Sequence, residues 1–298
     1  MDKIEKLSGL IAAPVTIFKA NGEIDFNAID KQVESLVNQG VVGAYVSGST
    51  GEGVSCTVEE RLAVMDRWHL ASKGRLKLII HIGALAFGDV ERLGHHANEL
   101  GVFATSVVPA NYYKPADVAS LVEYCRLAAA TAPDCRFYYY HSSLSGINLP
   151  LVDFLEQADG IIPNLAGIKY NGMNLYEYQN CMHACGGKYD IVYGTDEFFA
   201  GALALGAKAF IGSTYNYAAK VYLAIWKAFR EGRQADVEKG MRKVCQIVDV
   251  LVKHGVFATT KTAMAVQGID GGDVRPPLRR QTPAEKAEII AEMKRILA

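Results

Sequence analysis

Apolar positions along the chain fall into short continuous runs separated by longer stretches with helical spacing. The runs are Gly9–Phe18, Val41–Ser49, Leu76–Ala84, Phe103–Ala110, Arg136–His141, Leu165–Asn171, Asp190–Thr195 and Lys208–Thr214. They are rich in Val, Ile, Tyr and Ala and do not alternate with polar residues, which predicts parallel strands buried on both faces. Between them the apolar residues change period, as in Ile29, Val33, Leu36 and Val37. Thr57-Val58-Glu59-Glu60 reads as a capping box at the start of one such helix. Eight strand–helix alternations predict an α/β chain folded as a (β/α)8 barrel, a fold that needs roughly 250 residues. A doubly wound open sheet has the same local periodicity and stays as the alternative.

Beyond Gly232 the alternation stops. Val244, Ile247, Val248, Leu251 and Val252 mark one face of a helix, and Thr259–Val266 suggests another. Thr282-Pro283-Ala284-Glu285 supplies an N-cap, a first-turn proline and an N3 glutamate ahead of Ile289, Ile290, Met293, Ile296 and Leu297. The predicted organisation is a barrel over residues 1–232 carrying the active site, with a helical region over 233–298 packed on it.

Composition removes several function classes. Lys and Arg total 31 against 32 Asp and Glu, a net charge of -1, whereas a nucleic-acid binder needs an excess of cations. The longest uncharged apolar stretch, from Phe198 to Ala207, is too short to span a bilayer. Residues 1–6 carry both charge signs with no apolar segment behind them, so no signal peptide is expected. Six cysteines (Cys56, Cys125, Cys135, Cys181, Cys185 and Cys245) form no C-x-x-C pair, which predicts a reduced thiol set and a cytoplasmic protein. Cys181, His183 and Cys185 share a helical turn, but no second ligand pair accompanies them, and no metal is expected.

In a barrel, chemistry gathers at the C-terminal ends of the strands. The second run ends in Gly48-Ser49-Thr50-Gly51-Glu52-Gly53, where converging amides and two hydroxyls suit a carboxylate or phosphate. The same hexapeptide also fits a tight strand–helix turn. Lys169 follows an apolar stretch directly; desolvation would lower its pKa and leave an amine able to attack a ketone, while a lysine snorkelling from a strand mouth is the plain alternative. Tyr138 and Tyr140 face one side of their strand and Tyr139 the other, and His141 is a rival base. Gly194-Thr195-Asp196-Glu197 could bind a polyol or cap a helix. Ile211-Gly212-Ser213-Thr214-Tyr215-Asn216 closes the last run with a polar cluster.

Taken in order, these segments resemble the N-acetylneuraminate lyase branch of the pyruvate-dependent class I aldolases, a superfamily that also holds dihydrodipicolinate synthase. Val252-Lys253-His254-Gly255-Val256-Phe257 and Thr260-Lys261-Thr262 extend the resemblance into the tail. It implies a Schiff-base nucleophile at Lys169 and a proton-shuttling Tyr140. It also implies a carboxylate site at Ser49 and Thr50, with Gly194, Asp196, Glu197 and Ser213 on the hydroxylated chain. The reaction so implied is reversible cleavage of a sialic acid to pyruvate and N-acetylmannosamine, with no metal or other cofactor. Relatives are commonly tetramers built as dimers of dimers, with an aromatic residue reaching the neighbouring site; Tyr112 and Tyr113 are the candidates. Leu144 stands where the synthases place an arginine, which favours the lyase branch.

Two departures qualify the resemblance. The loop after Tyr140 is one residue shorter, so a deletion inside the strand would put Tyr139 opposite the lysine; Tyr140 is the preferred assignment. Asn171 replaces a hydroxyl residue beside the cleaved bond and is counted with the substrate-binding set. It leaves open a different 2-keto-3-deoxy sugar acid as the substrate of an aldolase or dehydratase. A sugar-acid binding protein without turnover is the third reading.

Overall fold

The computed structural model describes residues 6–110 and 112–298. Residues 1–5, most of the segment read above as lacking a signal peptide, lie outside the described residues, as does Asn111 of the Tyr112–Tyr113 loop.

Eight strands form a closed parallel barrel in chain order: β1 (Gly9–Ala12), β2 (Gly43–Val46), β3 (Lys77–His81), β4 (Ala104–Val107), β5 (Arg136–Ser142), β6 (Leu165–Asn171), β7 (Asp190–Tyr193) and β8 (Ala209–Gly212). β1 pairs with β8 through Gly9↔Ala209 to Ala12↔Gly212, which closes the ring and excludes the open sheet. Helices α1 (Phe26–Asn38), α2 (Val58–Ser72), α3 (Phe87–Glu99), α4 (Val118–Ala130), α5 (Leu151–Ala158), α6 (Leu175–Gly187), α7 (Phe199–Ala204) and α8 (Tyr215–Arg230) alternate with the strands. Several strands are shorter than their apolar runs. The surplus residues, such as Ala13, Val15, Ile17 and Phe18 after β1, are buried in loops rather than in the ladder.

Strand alternation divides the apolar side chains into two cores. Ile11, Tyr45, Ile79, Ala104, Tyr138, Tyr140, Ala166, Val192 and Ile211 fill the lumen. Their neighbours along each strand, among them Tyr139, Ile168 and Tyr193, pack outward against the helices. Burying both faces explains why the runs do not alternate. After α8 come α9 (Gln234–His254), α10 (Val256–Ala263) and α11 (Pro283–Leu297), whose Val244, Ile247, Leu251, Ile289 and Met293 join the outer core. Both capping boxes form: Thr57 with Glu60, and Thr282 with Glu285.

Candidate active site

A cavity of about 480 Å3 opens at the C-terminal end of the barrel. Its wall contains Ser49, Thr50, Tyr140, Lys169, Asn171, Gly194, Asp196, Glu197 and Ser213, so the residues singled out on five separate strand ends meet in one place. Tyr112 and Tyr113 do not line it. They are highly exposed, 79% and 84%, and stack edge-to-face on one another with ring centroids 5.0 Å apart.

Lys169 lies on β6 with 4% of its surface exposed. Its Nζ sits 3.7 Å from the ring centroids of both Tyr45 and Tyr140. The register of β5 and β6 explains this placement. Phe137 pairs with Leu165, but Tyr138 pairs with Gly167, so β6 carries one extra residue, Ala166. That bulge shifts the ladder and makes Lys169, not Ile168, the partner of Tyr140. Only glycine fits beside it, because a Cβ on Gly167 would stand 1.7 Å from the Asp190 carbonyl oxygen. Tyr139 points to the opposite side, where its ring packs 4.8 Å from that of Phe154. Tyr140 is therefore the tyrosine that faces the lysine. His141, the rival base, also points outward and stacks on Tyr170 at 5.4 Å.

Burial pushes the Lys169 amine below its ordinary range, and the nearby Tyr140 and Asp196 oppose that fall only in part. Burial by itself would raise the Tyr140 phenol, but the positive charge of Lys169 and the hydroxyls of Ser49 and Ser142 outweigh it and hold it below its usual value. An amine driven toward neutrality beside a phenol driven toward ionisation is a proton-sharing pair. Two of the lumen side chains packed around it are neutral. Tyr45 donates its hydroxyl to Ser106 at 3.0 Å, and burial pushes His81 well below its usual value, so the imidazole stays uncharged.

The loop after β2 is held in a strained curl. Ser47 and Glu52, neither of them glycine, adopt left-handed φ of 57° and 51°, a conformation costing of order 1–2 kcal/mol per residue. Within the curl the Glu52 amide donates to the Ser49 carbonyl and the Gly53 amide to that of Gly48, both at 3.1 Å. Thr16 Oγ1 donates to the Gly51 carbonyl at 2.6 Å. The result presents Ser49 and Thr50 toward the cavity.

On the far wall, Asp196 is buried and accepts from Thr214 through both the backbone amide (3.1 Å) and the hydroxyl (2.7 Å). Its other oxygen, Oδ1, is buried without a well-aligned hydrogen bond among the described residues, although the Tyr215 hydroxyl lies close enough to act on the carboxyl. Burial pushes this carboxyl up to about 6 despite the Thr214 bonds. Asn171 donates its amide to the Gly194 carbonyl at 2.5 Å, so part of its hydrogen-bonding capacity ties β6 to the β7 loop.

Sequence reasoning passed over the roof of the cavity. Val248, Leu251 and Val252 of α9, with Val256 and Phe257 of α10, line it alongside Leu144 and Met173. The apolar stripe of α9 was the available signal, but a stripe reports an apolar face and not what lies across from it. Among the described residues, no group of three or more His, Cys, Asp or Glu side chains is arranged to hold a metal, and no helix is long and apolar enough to cross a membrane.

This architecture matches known proteins along nearly its whole length. The profile of the dihydrodipicolinate synthetase family fits residues 6–296, and the chain belongs to that family. Within it, the chain is 34% identical to N-acetylneuraminate lyase of Danio rerio over 297 residues, covering 97% of this chain and 96% of that one. Two solved structures resemble it at a TM-score of 0.97. One is Proteus mirabilis N-acetylneuraminate lyase, 49% identical, covering 98% of this chain and 99% of that one. The other is the N-acetylneuraminate lyase (sialic acid aldolase) of Aliivibrio salmonicida, 46% identical, covering 98% and 97%.

Proposed function

We propose that the protein is a carbon–carbon lyase that cleaves N-acetylneuraminate reversibly to pyruvate and N-acetylmannosamine through a Schiff base on Lys169. The observation that carries this reading is the buried Lys169 amine opposite Tyr140 at the floor of the cavity. Likeness to lyases at up to 49% identity supports the substrate.

In the proposed mechanism the neutral amine attacks the keto carbon, and Tyr140 delivers the proton that lets water depart, leaving an iminium. Tyr140, as phenolate, then takes the proton of the hydroxyl on the carbon to be released. That carbon becomes the aldehyde of N-acetylmannosamine. The electron pair of the broken bond moves into an enamine conjugated to the nitrogen. Protonation of the enamine carbon and hydrolysis of the iminium free pyruvate and restore the lysine. Ser49 and Thr50 hold the carboxylate of the keto acid. Asp196, Glu197, Ser213 and the Gly194–Asn171 pair receive the hydroxylated chain.

We assign residues 1–232 to the barrel and 233–298 to the helical region, and place the protein in the cytoplasm as a tetramer built as a dimer of dimers. The exposed aromatic pair Tyr112–Tyr113 suits insertion beside a neighbouring copy.

Borohydride reduction with N-acetylneuraminate as sole substrate tests the reaction. A pyruvate-sized adduct on Lys169 is expected. A whole-sugar adduct means condensation without cleavage, and no adduct, with added pyruvate still trapped on Lys169, moves the substrate to another keto acid.

A further inference from the structure

The strained β2–α2 loop is gripped from the far end of the chain. Glu52, which ends the curl presenting Ser49 and Thr50, has a side chain 1% exposed and lies 2.5 Å from the ammonium of Lys261 on α10, itself 1% exposed. The second Glu52 oxygen accepts from the backbone amide of Arg275 at 2.8 Å. Lys261 also donates to the Asp273 carbonyl at 2.8 Å. The Arg275 guanidinium reaches back to the Ser55 carbonyl (2.9 Å) and binds both oxygens of Glu60 in the first turn of α2, at 2.6 and 2.5 Å. Both cations rest on the ring of Phe18, with Lys261 at 4.2 Å and Arg275 at 4.1 Å from its centroid. None of these five side chains lines the cavity, so the cluster stands behind its wall.

A fully desolvated ion pair at this place is more than a fastener for the tail. Replacing it with apolar packing would hold two segments together equally well, but it would not dictate where a left-handed glutamate must put its backbone. Charged groups fix geometry as well as proximity, and here the fixed point is three residues from Ser49 and two from Thr50. We propose that Glu52, clamped by Lys261 and Arg275, is a positioning residue for the substrate carboxylate: the C-terminal helical region sets the affinity of the site for 2-keto acids by holding the Ser49–Thr50 cradle. The inference rests on the aldolase reading above, in which that cradle receives the keto-acid carboxylate.

The test uses two variants. Glu52→Gln/Lys261→Met removes both buried charges together, so neither is stranded. Arg275→Ala loosens the strut and leaves the pair intact. Two quantities are measured: the pyruvate concentration that half-saturates borohydride trapping on Lys169, and kcat and KM for N-acetylneuraminate. Because displacement of a binding group by about 1 Å can cost two orders of magnitude, the double variant should need roughly 10- to 100-fold more pyruvate and show a matching rise in KM. Its kcat should change less than about 3-fold, since Lys169 and Tyr140 stay in place. Half-saturation by N-acetylmannosamine in the condensation direction, at saturating pyruvate, should move less than about 2-fold. A general loss of structure would not spare that second substrate. If the double variant does not fold, Arg275→Ala carries the test, with about a 5-fold rise in both keto-acid parameters expected. Pyruvate half-saturation equal to wild type in the folded variants overturns the inference alone. Wild-type protein that traps no pyruvate overturns the aldolase reading and the inference with it.

Discussion

Tyr140→Phe isolates one oxygen in the reacting pair. The phenylalanine ring keeps the edge-to-face contacts with Tyr45 at 5.6 Å and His81 at 6.3 Å, and the ring face against Lys169 at 3.7 Å. The barrel should therefore fold as before. What goes is the proton carrier of the proposed mechanism. General acid–base groups contribute about 10²- to 10⁴-fold, which corresponds to roughly 2.7–5.5 kcal/mol of barrier, and kcat should fall within that window. A second effect follows from the electrostatics. Burial lowers the Lys169 pKa, and Tyr140 opposes that fall through its charge and hydrogen bond. Without the hydroxyl, burial acts with less opposition, so the amine loses its proton more readily. The limb of the kcat/KM profile that requires a neutral amine should move to lower pH in the variant, even as the plateau drops. Pyruvate release followed through a coupled dehydrogenase across a pH series reads both. Tyr139→Phe, on the helix-facing side, is the control and should leave both unchanged. A Tyr140→Phe enzyme within about 3-fold of wild-type kcat, or a limb that moves upward, would refute the assignment.

Asp196→Asn should trade activity for stability. Burial raises the carboxyl from 3.8 to about 6, so the folded state holds its proton more tightly than the unfolded state. The ionised group costs stability as pH rises from about 4 to 6, and the full cost, about 3 kcal/mol, persists above that. Urea unfolding should show the variant stabilised at pH 8 by up to about 3 kcal/mol and not at pH 4; an equal gain at both would exclude this cause. Gly212→Ala would bring a Cβ within 1.9 Å of Asp196 Oδ1. The carboxylate must then swing away, raising KM for the sugar acid by an expected 10-fold or so while pyruvate is still trapped on Lys169. Thr282→Ala removes the N-cap of α11 and should cost about 1 kcal/mol, a melting shift of roughly 2 °C, with kcat unchanged.

The barrel was legible because parallel strands covered on both faces leave unbroken apolar runs, and eight of them are hard to arrange otherwise. The runs overstate the strands where loops are also buried, as in Ala13–Phe18. Lys169 stood out as a cation ending an apolar run, but the side of the strand it occupies could not be read. That depends on the extra residue Ala166, tolerated because Gly167 presents no Cβ to Asp190 on the next strand. The choice of Tyr140 over Tyr139 rested on the resemblance of the strand register; in the structure the parity of β5 puts Tyr140 in the lumen and the bulge in β6 brings Lys169 opposite it.

Long-range pairing was the blind spot. In α9, Val244 and Ile247 face the outer core while Val248 and Val252 border the cavity, though all four belong to one stripe. Glu52 reads locally as an acid at the lip of a glycine-rich turn, and nothing within twenty residues predicts that it is buried. Its partners are Lys261 and Arg275. A local motif can tell which groups could bind a carboxylate. Whether they are held ready to do so depends on groups brought in from the other end of the chain, and here those groups belong to a tail whose sequence extended the resemblance without showing what Lys261 or Arg275 would meet.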